Sequence, residues 1–474
     1  MSKALARPAY RCTECGWTTG KWVGRCGECQ AWGSVAEASA PKGRTQAGPV
    51  TAPAIPIGQV PIDDAGSRSS GVPELDRVLG GGMVPGAVVL LAGEPGVGKS
   101  TLLLEVAAQT ARTGIRALYV SGEESASQVR LRADRCRGVH HELFLAAETD
   151  LGAVLSHIDE VKPDLLVIDS VQTISAEGVE GVPGGVTQVK EVAAAIVRMA
   201  KTRNISTVLV GHVTKDGSIA GPRVLEHLVD VVLHFEGERS SRLRMVRAIK
   251  NRFGPVDEVG CFDLSSDGIV AVTDPSSLFV ARHHEPVAGT CITVSLEGKR
   301  PLLAEVQALV TQTSGERARR TTVGVDNARA NMVVAVLQQR ARMRLWDRDI
   351  FISTVGGARV AEPAADLAMA LAMASAGKDV ALRTDLVAMG EIGLAGELRR
   401  VAEIPRRLAE AARLGFKVAI VPPEQGSGAA KLTEVNGLTV YEAPTLAHAL
   451  QLMDIGDAIR QPDSTYYGPL KSVD

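Results

Sequence analysis

The eight residues Gly93-Glu94-Pro95-Gly96-Val97-Gly98-Lys99-Ser100 restrict the possible folds of this chain more than any other stretch. They fit the spacing G-x-x-x-x-G-K-[ST], follow the apolar run AVVLLA and lead into the helical run STLLLEVAAQ. Between a strand and a helix, such glycines let backbone N–H groups curl around phosphate oxygens while the helix aims its positive end at them. Lys99 adds a charge near the β- and γ-phosphates, Ser100 can ligate Mg²⁺, and Thr101 follows in the same turn. ATP with Mg²⁺ is the ligand this pattern predicts.

A phosphate loop of this kind belongs to a parallel sheet, and the surrounding sequence supplies one. From Gly71 short apolar runs alternate with helical segments: AVVLLAG, RALYVSG, DLLVIDS and STVLVGH are separated by KSTLLLEVAAQTAR and VAAAIVRMAKTR. Continuous Val/Leu/Ile runs fit strands buried on both faces, joined by right-handed helical crossovers. The later runs, around residues 230 to 249 and 259 to 272, leave no room for helices, so they are expected to extend the sheet antiparallel. An α/β core of about 61–274 results.

The strand ends carry the polar residues. LLVIDS ends in Asp169, which would hold Mg²⁺ through its water shell, although an Asp at a strand end can also be a turn former. RALYVSG runs into Glu123 and Glu124. Either could orient an attacking water; Glu123 is preferred because an acid at a helix start accounts for Glu124. VLVGH ends in His212, beside Thr214 and Lys215, where it either senses the γ-phosphate or is a hydrogen-bonded, partly buried histidine. Residues 172 to 190 are Gly-rich and without apolar period, too long for a tight connection, which is expected of a functional or a disordered loop. The stretch KNRFG places Lys250 and Arg252 around Asn251 after the run RLRMVRAI, near the far edge of the sheet.

Outside this core, Cys12-x-x-Cys15 and Cys26-x-x-Cys29 hold four of the seven cysteines. Two knuckles with Gly16 and Gly27 at their turns fit a closed tetrahedral Zn²⁺ site, and a segment so short folds only around a metal. Redox CxxC pairs are the competing reading. The expected order is a zinc ribbon at 1–33, a flexible Ala/Pro/Gly linker at 34–60, the core, a third domain at 275–457 and a loose tail at 458–474. The third domain opens strand-rich and continues into Ala-rich helices near 327 to 343 and 363 to 376. Its opening crowds Arg317, Arg319, Arg320, Arg329, Arg340, Arg342, Arg344 and Arg348. With a net charge of only -2, nucleic-acid binding has to rest on such local patches, yet a run of this kind can equally be a solvated face. No signal-like or membrane-length apolar run is present, so a cytoplasmic location and no membrane partner are expected.

Taken together, CTECGWTTGKWVGRCGEC, GEPGVGKST, YVSGEES, LLVIDS and KNRFG resemble the bacterial RadA (Sms) family of DNA-repair ATPases over nearly the whole chain. The resemblance implies a RecA-like P-loop ATPase core with an N-terminal zinc ribbon and a C-terminal Lon-protease-like α+β domain. It also implies a DNA helicase or branch-migration motor on single-stranded and branched DNA, acting with RecA as a hexameric ring. Lys250-Asn251-Arg252 looks like the Lys-Asn-Lys that RecA-like proteins turn toward a neighbour's nucleotide. Ala364 stands where the Lon nucleophile would be and Pro405 where its lysine would be, so the third domain is expected to be proteolytically inactive. A recombinase, an ATP-dependent protease and a self-phosphorylating clock-type ring are the alternatives.

Overall fold

The computed structural model describes residues 10–37, 54–59, 66–212, 225–237, 242–280, 285–313, 315, 317–424 and 432–454. Most of the expected linker, Thr214, Lys215 and the tail 458–474 lie outside the described residues. The chain divides into two compact units, Met1–Ile62 and Asp63–Asp474.

In the first unit β1 (Tyr10–Cys12) is flanked by β2 (Thr18–Thr19) and β3 (Val35–Glu37), all antiparallel. The linker was expected to begin at residue 34, but 35–37 close the ribbon as a strand. Val35 is the reason: it is buried against Cys12 and Cys26, and loop-like composition around it hides that single packed side chain.

The second unit begins with a nine-stranded sheet among the described residues. Its strands are β4 (Val88–Gly93), β5 (Ala117–Ser121), β6 (Leu143–Ala147), β7 (Leu165–Asp169), β8 (Ser206–His212), β9 (Val231–Glu236), β10 (Leu243–Asn251), β11 (Val259–Ser265) and β12 (Gly268–Ala271). The spatial order is β12-β11-β10-β9-β4-β8-β7-β5-β6. Alternate residues of β4 face opposite cores. Val89 and Leu91 pack with α1 (Pro73–Leu79), α2 (Lys99–Arg112) and α3 (Ala126–Arg135), whereas Val88 and Leu90 pack with α4 (Leu151–Val161) and α5 (Val186–Arg203). Burial on both faces explains the unbroken apolar runs.

Two expectations need correction here. The run at 230 to 249 does not start antiparallel: β9 pairs parallel with β4, and direction reverses only at β10. Leaving out a helix does not force a hairpin when a strand can enter the sheet beside a partner far away in sequence. KNRFG is also not at the sheet edge, because β11 and β12 lie beyond the strand it ends.

The rest of this unit holds an eight-stranded sheet, ordered β15-β16-β14-β13-β17-β20-β22-β21. These are β13 (Thr290–Glu297), β14 (Arg300–Gln312), β15 (Arg320–Val323), β16 (Arg348–Thr354), β17 (Leu386–Ala388), β20 (Val418–Val421), β21 (Leu432–Val435) and β22 (Leu438–Glu442). A separate ribbon pairs β18 (Glu391–Ile392) with β19 (Leu398–Arg399). The helix Asp366–Lys378 is buried from Asp366 through Ser375, which is why its sequence shows no amphipathic period.

The two sheets are joined by Arg300. Its guanidinium, 6% exposed, ion-pairs with Glu74 of α1, 1% exposed, and donates to the carbonyls of Val259 and Thr273 at 3.1 and 2.9 Å. Glu74 also accepts from Cys261 N at 2.9 Å. Arg300→Ala strands a buried carboxylate and is expected to cost about 3–5 kcal/mol. Urea unfolding followed by circular dichroism measures it, and a loss near zero would mean that the pair is not what fastens the sheets.

Candidate nucleotide site and metal centre

The strand order brings the polar residues of the sheet to one line. Gly93 at the end of β4 is in register with His212 of β8, and Ser121 of β5 with Asp169 of β7. Parallel strands with their C-terminal ends together form the ligand crevice of an open α/β sheet.

The loop 93–98 wraps in front of α2, with Gly96 and Gly98 at φ +80° and +109°, a region that only glycine enters cheaply. Gly93 is needed for a different reason. A Cβ there would lie 2.3 Å from the Phe235 carbonyl oxygen of β9. Glu94, Pro95 and Val97 fill the positions between, and Ser100 and Thr101 follow Lys99 in the first turn of α2. Lys99 is 4% exposed and donates through Nζ to the carbonyls of Gly93 and Glu94 at 2.8 and 2.9 Å. Burial lowers its pKa, against the pull of Asp169 and Glu123. An ammonium held only by two neutral carbonyls under these conditions is an anion site by its chemistry, so the residues fit a bound phosphate.

Glu123 gathers the other strand ends. Its Oε1 accepts from Ser170 Oγ at 2.6 Å and from His212 Nε2 at 2.9 Å. Burial pushes its pKa up, but the bonds from Ser170 and His212 and the charges of His212 and Lys99 outweigh it and leave the carboxyl below its ordinary value. Gly122 permits this approach: a Cβ there would lie 2.1 Å from Thr173 Oγ1. Glu124 points elsewhere and pairs with Arg132 of α3, where Ser125 and Gln128 form a capping box.

Asp169 is 7% exposed and accepts from Tyr119 OH at 2.5 Å. Burial and the adjoining Asp169 push the Tyr119 hydroxyl well above its usual pKa, so it remains a donor. One carboxylate oxygen is thereby fixed, and with Ser100 this suits a Mg²⁺ that keeps most of its water. Tyr119 and Ser170 were not singled out from sequence. Tyr119 was hidden in an apolar run, whose inward period it shares; Ser170 follows Asp169 directly and could have been flagged by that neighbourhood. The Gly-rich loop ends sooner than expected, because α5 begins at Val186. Its Gln188 side chain accepts from Ala176 N at 2.9 Å and donates to the Val179 carbonyl at 2.7 Å.

KNRFG lies at the opposite end of the sheet. Asn251 pairs with Val231, which pairs with Val89, four residues before Gly93. Lys250 Nζ donates to the carbonyls of Glu226 and Val229 at 2.7 and 2.8 Å. Arg252 pairs with the buried Asp230 at 2.9 Å. Asn251 anchors the stretch on the end of α1 through the Leu79 carbonyl at 3.1 Å.

In the ribbon, the Sγ atoms of Cys12, Cys15, Cys26 and Cys29 all lie within 4.8 Å of one another, with Cys12–Cys29 at 3.7 Å and Cys15–Cys26 at 3.5 Å. A tetrahedron of Zn–S bonds of about 2.3 Å has edges of roughly 3.8 Å. The donor set therefore fits Zn²⁺, and the fourfold thiol shell leaves no open position for chemistry. A Cβ on Gly27 would lie 2.8 Å from the Trp17 ring, which ties the second knuckle to a bare glycine.

Three family models match successive parts of the chain: a rubredoxin metal binding domain at 10–37, an AAA domain at 54–218, and subunit ChlI of Mg-chelatase at 327–425. The fold and site thus define a RecA-like P-loop ATPase with an N-terminal zinc ribbon and a Lon- and ChlI-like C-terminal domain, an ATP-hydrolysing enzyme. DNA repair protein RadA of Mycolicibacterium smegmatis is 54% identical over 465 residues, covering 96% of this chain and 98% of that one. RadA of Mycobacterium tuberculosis is 54% identical over 462 residues, covering 96% and 95%. RadA of Streptococcus pyogenes serotype M6 is 45% identical over 442 residues, covering 92% and 97%. The chain belongs to the RadA family of DNA repair proteins.

The ribbon is expected to hold one zinc per chain. Cys29→Ser should lose it and abolish the ribbon's own folding, while the calorimetric transition of the unit Asp63–Asp474 stays at the parent temperature. Elemental analysis with scanning calorimetry checks both, and zinc retained at the parent level in Cys29→Ser would rule out the four-thiol site.

Proposed function

We propose that this protein is a DNA-dependent ATPase that unwinds and migrates branched recombination intermediates together with RecA, working in the cytoplasm as a hexameric ring with ATP at the subunit boundaries. The observation that carries the ring is the separation of KNRFG from its own phosphate loop. Four residues of strand correspond to about 13 Å, beyond the reach of an arginine side chain, so the cations of one subunit serve the nucleotide of the next. Arg252 is the better finger because it is permanently charged and forks onto phosphate oxygens. Asp230 holds it until a neighbour's phosphate competes for the guanidinium. Lys250 serves the same phosphate or DNA.

Within the site, Lys99 and the loop glycines bind the phosphates, Ser100 and Asp169 hold Mg²⁺, Glu123 orients the attacking water, and His212, bonded to Glu123, senses the γ-phosphate. A carboxylate kept below its usual range by two donors is a weak base, suited to positioning a water more than to removing its proton early. DNA contact is supported by the segment after the helix Asn327–Arg340. There Arg342, Arg344 and Trp346 are exposed in alternation with buried Met343 and Leu345. Arg344 stacks over Trp346 at 5.1 Å, which sets a cation beside an exposed aromatic ring. By contrast, Arg329 is bound to Asp366 inside the domain and serves structure.

Proteolysis finds no support. Ala364 is 1% exposed and offers no nucleophile, and Arg407 beside Pro405 is committed to Glu362 at 2.5 and 2.7 Å. The C-terminal domain acts as an inert scaffold that contacts DNA and helps form the ring.

Forked DNA with ATP tests the motor: the parent should separate the strands and Lys99→Ala should not. Strand separation by Lys99→Ala, or none by the parent with RecA present, would overturn the reading. Subunits carrying Arg252→Ala and subunits carrying Lys99→Ala should each be inactive alone and regain hydrolysis when mixed, since some interfaces then pair an intact loop with an intact arginine. Proven mixed rings without recovery would exclude action between subunits.

The Glu123 pKa gives a pH prediction with a fixed sign. Its folded value is lowered, so the carboxylate form survives well into acid and is lost only as pH falls through that lowered value. His212→Phe removes one donor and one charge, raises the Glu123 pKa, and should move the acid limb of the ATP hydrolysis profile to higher pH. An unmoved limb would detach Glu123 from the rate.

A further inference from the structure

Arg244 of β10 is a buried cation with no part in the site described above. It is 7% exposed, its Nε donates to the Val97 carbonyl at 3.0 Å, and its Nη1 donates to the Leu243 carbonyl at 2.9 Å. Gly237 makes way for its side chain, since a Cβ there would lie 2.4 Å from Arg244 Cδ. Val97 is inside the phosphate loop and directly precedes Gly98.

The consequence follows from peptide geometry. In a planar trans peptide the C=O and the N–H point to opposite sides. Fixing the Val97 carbonyl on the Arg244 side therefore turns the Gly98 N–H away from Arg244, toward the hollow in front of α2. Gly98 sits at φ +109°, where a residue without Cβ has little steric defence against rotation of the preceding peptide. Leu264 Cδ2 and Phe235 Cε1 limit the space on its Cβ side, at 3.2 and 3.7 Å from where that atom would be, but neither can hold a polar group.

We propose that Arg244 is a positioning residue for the nucleotide phosphates: it locks the Val97–Gly98 peptide so that the Gly98 N–H already faces the phosphate when ATP arrives. A guanidinium suits the task because it stays charged when buried and its bond to a neutral carbonyl is charge-assisted. The antiparallel extension of the sheet acquires a purpose by this, since β10 is the strand that carries the group to the back of the loop. The inference rests on Gly93–Ser100 being the ATP site.

The test titrates the full-length protein with a fluorescent ADP and measures ATP hydrolysis for the parent, Arg244→Gln, Arg244→Lys and Lys99→Ala, with thermal unfolding of each without nucleotide. Loss of one charge-assisted bond predicts about tenfold weaker ADP binding and a raised KM with a smaller change in kcat for Arg244→Gln, partly restored in Arg244→Lys. A purely structural arginine would lower the unfolding temperature and leave the affinity of the folded protein alone. If Arg244→Gln folds, parent affinity in it overturns the proposal. If it does not fold, Arg244→Lys decides: weakened ADP binding in that folded variant supports the role and parent affinity overturns it. Parent affinity in Lys99→Ala would instead overturn the ATP site itself.

Discussion

The nucleotide site depends on β4 lying between two parallel neighbours, β8 and β9, that come from far away in sequence. All six residues of β4 are buried, so its position is held by apolar packing on both faces and cannot drift toward solvent. Its last residue delivers the phosphate loop beside His212 on one side and against the Phe235 carbonyl on the other. Asp169, Glu123 and Lys99 then meet without any long loop having to position them, which keeps the charged groups at rigid strand ends.

Charge within that crevice is arranged in opposition. Lys99 loses solvation by burial and is offered only carbonyl partners, whereas Glu123 and Asp169 are supplied with donors from Ser170, His212 and Tyr119. The acids are satisfied and the base is not. Lys99 feels Asp169 and Glu123 only through space, so its hydrogen-bonding side stays turned to the loop, where a phosphate would sit. At the other end of the sheet the pattern reverses, and the buried acid Asp230 draws Lys201 and Arg252 onto itself.

The C-terminal domain and the ATPase core share the unit Asp63–Asp474, and Arg300 at the start of β14 enters that core to pair with Glu74. The two sheets are linked by that buried ion pair and by Arg247, which bridges Glu236 and Glu297 at 2.5 and 2.8 Å. Glu236 is held down to about 2, by its bond to His234 and those to Arg247 against its burial, so this bridge stays charged at any physiological pH. In that domain Ala364 is buried and the Arg407 guanidinium is taken up by Glu362 at 2.5 and 2.7 Å.

Motif spacing alone determined the phosphate loop, the four-thiol centre and the parallel character of most of the core, because each depends on local backbone chemistry or on the two-sided burial that an apolar run reports. Asp169 and Glu123 were legible as strand-end acids for the same reason. The direction of β9, the ribbon's closing strand, and the partners Tyr119 and Ser170 were decided only in three dimensions. They depend on pairings between residues distant in sequence, and neither hydrophobic period nor motif spacing encodes which strand will lie beside which. The preference for Glu123 over Glu124 came from the helix start, and the fold supplies its partner: Glu124 is taken up by Arg132 while Glu123 faces the crevice. The fold also sets KNRFG and the phosphate loop at opposite ends of one sheet.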